Sequence, residues 1–368
     1  MKFTVKREAI LKPLQLVGGV VERRHTLPVL ANILLQLDGE QLSLTGTDLE
    51  VEIVARLNVD QSSGEGEITV PAKKFIDICR ALPEGSDVKF QLDEQKVILK
   101  SGKSRFTLST LSASEFPAVE EGAEELRFSS KQSIVKSLIE KTSFAMAQQD
   151  VRYYLNGMLW ELSNECLRVV ATDGHRLALA TEKLEGLTVD AVSQSILPRK
   201  GVIELSRLVE DTDEPVEIIL GKNHIRAKTV MFTFTSKLVE GKFPNYEQVI
   251  PQGGDKIVIG DRSELKQAFG RTAILSNEKY RGVRLLVEPN QLTLVANNPE
   301  QEEAEDHVVV DYQGETLEVG FNISYLQDVT NVLSSEKVKI TLSDANSSAL
   351  VQDADDDSAS YVVMPMRL

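Results

Sequence analysis

Apolar and polar residues alternate along several short runs of this chain. Leu42 and Leu44, then Leu49, Val51, Ile53, Ala55 and Leu57, keep a period of two, which predicts half-buried strands. Asp38-Gly39 predicts a tight hairpin turn. Other stretches keep a helical period: Ile10, Leu14, Val17 and Val21; Ile134, Val135 and Leu138; Leu265, Ala268, Phe269 and Thr272. Pro13 leaves the start of the first helix open. Asp261 with Glu264 matches a capping box. Further helices are predicted at Pro71 and Pro198, prolines that suit a first helical turn. Their apolar stripes are Phe75, Ile78, Cys79 and Leu82, and Val202, Leu205 and Val209.

These elements recur. NILLQLDGEQLSLTGTDLEVEI starts at Asn32, GMLWELSNECLRVVATDGHRLAL at Gly157 and GVRLLVEPNQLTLVANNPEQEEA at Gly282, a spacing of 125 residues each time. The register holds position by position: Leu42, Leu167, Leu292; Leu44, Val169, Leu294; Thr47, Thr172, Asn297; Asp48, Asp173, Asn298. VPAKKFIDICRAL from Val70, LPRKGVIELSRLV from Leu197 and FNISYLQDVTNVL from Phe321 repeat with small slips, as do Phe116-Pro117 and Phe243-Pro244. The chain reads as three copies of one unit. Polar, glycine-containing junctions at Glu120–Glu125 and Pro251–Asp255 place the domains at 1–125, 126–253 and 254–368. The expected fold class is α+β, with two helices per copy packed on mostly antiparallel sheet.

Composition adds limits. With 368 residues and 42% hydrophobic content the chain supports true cores and is not disordered. No apolar run approaches the roughly 20 residues of a membrane span, and Met1–Arg7 lacks the apolar stretch of a signal peptide. Cys79 and Cys166, both among apolar neighbours, are expected as buried thiols in a reducing cytoplasm. The net charge of −15 argues, taken whole, against a nucleic-acid partner. Divided, it reads differently: the six helical windows 6–24, 71–82, 130–150, 198–209, 261–281 and 321–333 together carry +9, which leaves −24 elsewhere. Either helices simply tolerate Lys and Arg, or they share a surface that faces a polyanion. Glu is an equally good helix former and is sparse in these windows, which favours the second reading.

Catalytic chemistry is hard to find. Gly102-Lys103-Ser104 imitates the end of a phosphate loop, but Val97 stands where that loop needs glycine. There is no HExxH, paired CxxC or GxSxG, and the four histidines show no ligand spacing. Acidic clusters at Glu300–Asp306 and Asp353–Asp357 read as solvated loops rather than metal sites. No catalytic residue, metal or cofactor is expected, and triplication without a repeated catalytic motif suggests a scaffold. Thr172-Asp173-Gly174-His175-Arg176-Leu177 carries Gly-His-Arg only in the second copy, as a strand turn or as a site. The apolar run Tyr361–Leu368 either closes a sheet or lines a pocket, and both readings are compatible.

Met1–Val5, Leu44–Glu50, Asp150–Met158, Ala171–Leu177, Ala273–Lys279, Asn297–Ala304 and Tyr361–Leu368 together closely resemble the bacterial DNA polymerase III beta subunit family, the replicative sliding clamps. The resemblance runs along the whole chain. It implies a head-to-tail homodimer of three clamp-type domains per chain, closed as a ring around duplex DNA with helices inside, and no enzyme activity. It implies sequence-independent DNA contacts from Arg24, Lys73, Gln149, Tyr153 and Tyr154, to which Arg199 and Lys200 add. It implies a partner-peptide pocket of Leu155, Thr172, Gly174, His175, Arg176, Leu177, Pro244, Val249, Val362, Met364, Pro365 and Met366, with Gln248 and Asn346 nearby. It implies a subunit interface in which Ile274 and Leu275 meet Phe106 and Leu108 of a second copy, while Lys74 and Arg105 pair with Glu300 and Glu303. The implied partners are the DNA polymerase III alpha subunit, the clamp loader delta subunit, and other polymerases, ligase and mismatch-repair proteins carrying a clamp-binding motif. The implied location is a bacterial cytoplasm, at the nucleoid. Two other readings compete: an enzyme using the acidic cluster Glu300–Asp306, and an interaction hub using Gly174–Leu177 without DNA.

Overall fold

The computed structural model describes residues 1–22, 27–117, 119, 123–184 and 186–367. Among the described residues six α-helices are set among short strands: α1 (Arg7–Gly18), α2 (Ala72–Ala81), α3 (Gln132–Thr142), α4 (Arg199–Leu208), α5 (Arg262–Thr272) and α6 (Ile323–Val332). Each copy of the repeat supplies two of them. Ile10, Leu14 and Val17 are buried along α1, whereas Val21 lies beyond its end. Pro13 sits inside α1 rather than at its start, and its own ring is buried in the helix face. Pro71 and Pro198 stand one residue ahead of α2 and α4, where each ends a strand. The cap expected at α5 is present, with Asp261 accepting from the Glu264 N–H at 3.0 Å.

The described residues form two compact units, Met1–Val135 with Lys200–Leu238, and Lys136–Arg199 with Val239–Leu368. The middle copy of the repeat therefore contributes to both. In the first unit a five-stranded antiparallel sheet runs Gln61–Ser63, Lys2–Lys6, Asp87–Asp93, Lys96–Ser101, Ser104–Ser109. An eight-stranded sheet in the same unit is joined where Val51–Asn58 of the first copy pairs with Phe232–Lys237 of the second, Ile53 opposite Phe234. The second unit holds a twelve-stranded sheet, joined where Arg176–Lys183 pairs with Ala359–Val363, Leu177 opposite Val362. Strand joining of this kind covers edges that each copy alone would leave open.

The alternation read from the sequence is met by Val51, Ile53 and Ala55, all buried. Leu49 departs from it, because the strand starts at Val51 and Leu49 lies in a turn at φ +77°. Leu57 is only half-buried near the strand end. Cys79 is buried, and burial pushes its thiol up to about 12. Cys166 is half-buried, against expectation, because it opens a strand directly after the hairpin turn at Asn164-Glu165.

Candidate functional site

The joint in the twelve-stranded sheet carries a cavity of about 150 Å³. Its floor is apolar. Leu177 and Val362 sit opposite one another on adjacent strands, and Leu155 joins them from the one-turn helix Tyr153–Leu155. All three are buried and rest on Leu159, Val170, Leu179, Ile196 and Phe243. Val249 and Met364 stand at the rim, 41% and 39% exposed, with Pro244 and His175 also exposed. The Met364 N–H donates to the His175 carbonyl at 3.0 Å, which ties the 359–367 segment to the turn it faces.

Turn chemistry explains the Thr172–Leu177 motif. The Thr172 hydroxyl donates to the Arg176 carbonyl at 2.6 Å and accepts from the Gly174 N–H at 3.1 Å. The Asp173 carboxylate accepts from the N–H groups of His175 and Arg176 at 2.9 and 3.0 Å. Thr47 and Asp48 make the same four bonds around Leu49–Val51, so the Thr-Asp pair is a turn device shared by two copies. What differs is the cargo. Gly174 takes φ +88°, a conformation glycine adopts at no steric cost, so no side chain blocks the cavity mouth.

Arg176 contributes its stem to the lining and its head to a network. The guanidinium donates to Asp173 at 3.0 Å, to Asp328 at 2.5 Å and to the Phe144 carbonyl at 2.8 Å, and it stacks 4.4 Å from the Tyr325 ring centre. Such a group positions the turn rather than offering a free charge.

Two lining residues were missed from the sequence. Arg152 stands at the mouth, clamped by Asp150 through bonds of 3.0 and 2.9 Å. That bond holds the Asp150 carboxyl well below its ordinary range, at about 2. Tyr246 forms part of the wall. Its hydroxyl donates to Glu161 at 2.7 Å and accepts from Arg168 at 2.9 Å, and burial pushes the phenol up to about 12. Asp150-Val151-Arg152 lay within a recognised motif and Tyr246 follows Phe243-Pro244, but nothing local says that both reach one cavity. Conversely, Pro365 and Met366 fall outside the lining. Met366 turns away to bond the Gly320 carbonyl at 2.8 Å and lines a different groove. Gln248 and Asn346 are exposed and also outside it.

Chemically, the cavity offers an apolar floor, with an imidazole and two carboxylate-paired guanidinium groups among its lining. Among the described residues no three His, Cys, Asp or Glu side chains are placed to hold a metal ion. Asp306 of the acidic cluster is paired with Arg271 at 2.6 Å.

Three family models cover nearly the whole chain. They are the DNA polymerase III beta subunit N-terminal domain over residues 1–120, the central domain over 130–245 and the C-terminal domain over 247–367. The chain belongs to the DNA polymerase III beta subunit family, the beta sliding clamps. It is 61% identical to the beta sliding clamp of Pseudomonas putida and 54% identical to that of Escherichia coli, each over 100% of both chains. It matches the crystal structure of the Pseudomonas aeruginosa sliding clamp bound to griselimycin with a TM-score of 0.98 and 60% identity, again over 100% of both chains.

Within this sliding clamp the residues expected at DNA divide between the two units. Lys73 is exposed on α2 of the first unit. Lys200 is the second residue of α4 but is held by Asp48 and by Glu22 at 2.8 Å, so its charge is largely matched already. In the second unit Gln149 is exposed at φ +56°, and Tyr153 is 58% exposed. Tyr154 packs partly into the pocket's apolar cluster, edge-on to Tyr153. Arg199 is half-buried and bonds the Met146 carbonyl at 3.4 Å. Arg24 lies outside the described residues.

Some of the clamp's expected subunit contacts lie on open strand edges, and Lys74, Ile274 and Leu275 lie on helical turns. Arg105, Phe106 and Leu108 are on Ser104–Ser109, the outermost strand of the five-stranded sheet. Phe106 is half-buried and Arg105 exposed, while Leu108 is buried in its own chain and offers little to a partner. Lys74 is exposed on α2. In the other unit Ile274 is 76% exposed and Leu275 half-buried. Glu300 and Glu303 are exposed beside Glu303–Asp311, a strand whose second side is paired only at Val310 and Asp311.

Proposed function

We propose that this sliding clamp works as a head-to-tail homodimer that closes around duplex DNA and tethers the replicative polymerase through the Leu155–Leu177–Val362 pocket. The observation that carries the tethering role is the pocket itself, an apolar floor with an ordered polar mouth, built for a short peptide rather than for catalysis. Its occupants are short apolar motifs on the DNA polymerase III alpha subunit, the clamp loader delta subunit, other polymerases, ligase and mismatch-repair proteins. The three domains are 1–125, 126–253 and 254–368. The protein is a non-catalytic processivity subunit and works in the bacterial cytoplasm at the nucleoid.

The charge division supports encirclement. Basic helices and an acidic remainder favour phosphate attraction at the helices, without sequence information. Attachment then rests on topology, so sliding costs little and the tethered polymerase gains effective concentration. Lys73 carries more of the phosphate attraction than Lys200, whose ammonium already sits between two carboxylates. Two heterologous contacts of the Phe106 and Ile274 edges close a ring, and the rim pairs of Lys74 and Arg105 with Glu300 and Glu303 add only about 0–1 kcal/mol each.

The test is retention on nicked circular DNA after loading. Release only upon linearisation supports a topological clamp, and equal release from circular and linear DNA sinks it. In parallel, Leu177→Asp weakens capture of an apolar clamp-binding peptide at least about tenfold, since a charge enters a dry floor, while retention on the circle persists.

A further inference from the structure

The repeat places a second cavity in the unit that holds the pocket. Asn277, Tyr280, Arg284, Asn297 and Pro299 line it. Each follows by 125 residues a residue of the first pocket or its floor: Arg152, Leu155, Leu159, Thr172 and Gly174. The segment that closes the first pocket with Met364 closes this one with Met366 and Arg367. The frame is the same but the chemistry is inverted. Where leucines fill the first frame, Tyr280 stands 57% exposed and the Arg284 side chain 45% exposed, and the groove is larger, about 660 Å³. The third copy has Asn298 where the other two copies have Asp48 and Asp173.

Charge sets this groove apart from the acidic chain. Among the described residues two arginines line it and no carboxylate does. Around it, Glu318 lies 3.8 Å from Arg284 and Glu302 accepts from the Asn298 amide at 2.6 Å, while the exposed Glu278 and Glu300, sequence neighbours of Asn277 and Pro299, stay outside the lining. The Lys279 ammonium lies 5.1 Å from the Tyr280 ring centre. The loop is ordered by Asn277, whose side-chain oxygen accepts from the N–H groups of Lys279 and Tyr280 at 2.9 Å each. An exposed ring, flanking cations and amides that both donate and accept are what a stacked base with its phosphate requires.

We propose that this groove binds a nucleotide unit, with the base on Tyr280, the phosphate at Arg284 and Arg367, and the base edge at Asn297. The unit comes either from single-stranded DNA or from a free nucleoside triphosphate. The site needs neither the ring nor the peptide pocket, so it goes beyond the sliding and tethering roles.

Fluorescence anisotropy of a labelled oligothymidylate on the full chain, with ATP as competitor, tests it. Tyr280→Ala and Arg284→Ala each lower affinity about tenfold, and Tyr280→Phe keeps it. Arg284→Ala also reduces the salt slope by about 1, while Lys103→Ala, an exposed cation elsewhere, changes nothing. Oligonucleotide binding that ATP does not displace assigns the single strand, and ATP binding alone assigns the free nucleotide. Unchanged affinity in both the Tyr280 and Arg284 variants overturns the proposal. So does loss of binding only in Lys73→Ala with Lys200→Ala, or occupancy of the groove by an acidic peptide in place of either nucleotide probe.

Discussion

Residue-scale effects concentrate where one side chain decides the shape of the pocket mouth. A β-carbon on Gly174 meets the Arg152 guanidinium at 3.0 Å and would sit at φ +88°. Gly174→Ala is therefore expected to cost about 1 kcal/mol and to displace Arg152. A lowered Tm together with weaker peptide binding checks this, and unchanged binding would mean that Arg152 does not order the mouth. Asp150 gives a pH prediction. Its carboxyl is depressed from 3.8 to about 2 by Arg152, so the clamp's contribution is fully present above the unfolded value. It declines as the pH drops below 3.8 and is lost as the pH falls through about 2. An NMR titration of the Asp150 carboxyl should find the Arg152 contact intact at pH 4.

At the scale of elements, helix-on-sheet approach is the limiting geometry. A β-carbon at Gly46 would come within 2.7 Å of Val17 Cγ1 and 2.8 Å of its carbonyl oxygen, so α1 lies against bare backbone there. Gly46→Ala is expected to destabilise by about 1–3 kcal/mol through overpacking, read as a lower denaturation midpoint. The repeat makes this informative, since Ala171 and Ala296 occupy the same register in the other copies. The helical and strand periods were legible in the sequence because each depends on neighbours a few positions away. Leu49 shows the limit. Its alternation looked strand-like, yet the Thr47-Asp48 bonds draw it into a turn.

For the whole molecule, the proposed ring depends on exposed strand edges and on Ile274. Ile274→Ala with Leu275→Ala is expected to give monomers in sedimentation, because the apolar contact outweighs the rim charges. A dimer that survives both changes would place the interface elsewhere. Loss of the dimer with a normal melting curve would separate the interface from folding, since Ile274 is largely exposed in the single chain.

By itself the sequence determined the threefold repeat and much of the helix and strand pattern, which are local or follow from identical spacing. Ten of the residues that line the pocket were named only through the family resemblance. Only the tertiary structure decided that the middle copy splits between two compact units, and that Leu177 lies beside Val362 across nearly two hundred residues. It also brought in Arg152 and Tyr246, and sent Met366 to a second groove. The physical reason is that an open strand edge must find a partner, and which distant strand satisfies it depends on the packing of the whole sheet rather than on any neighbourhood in the chain.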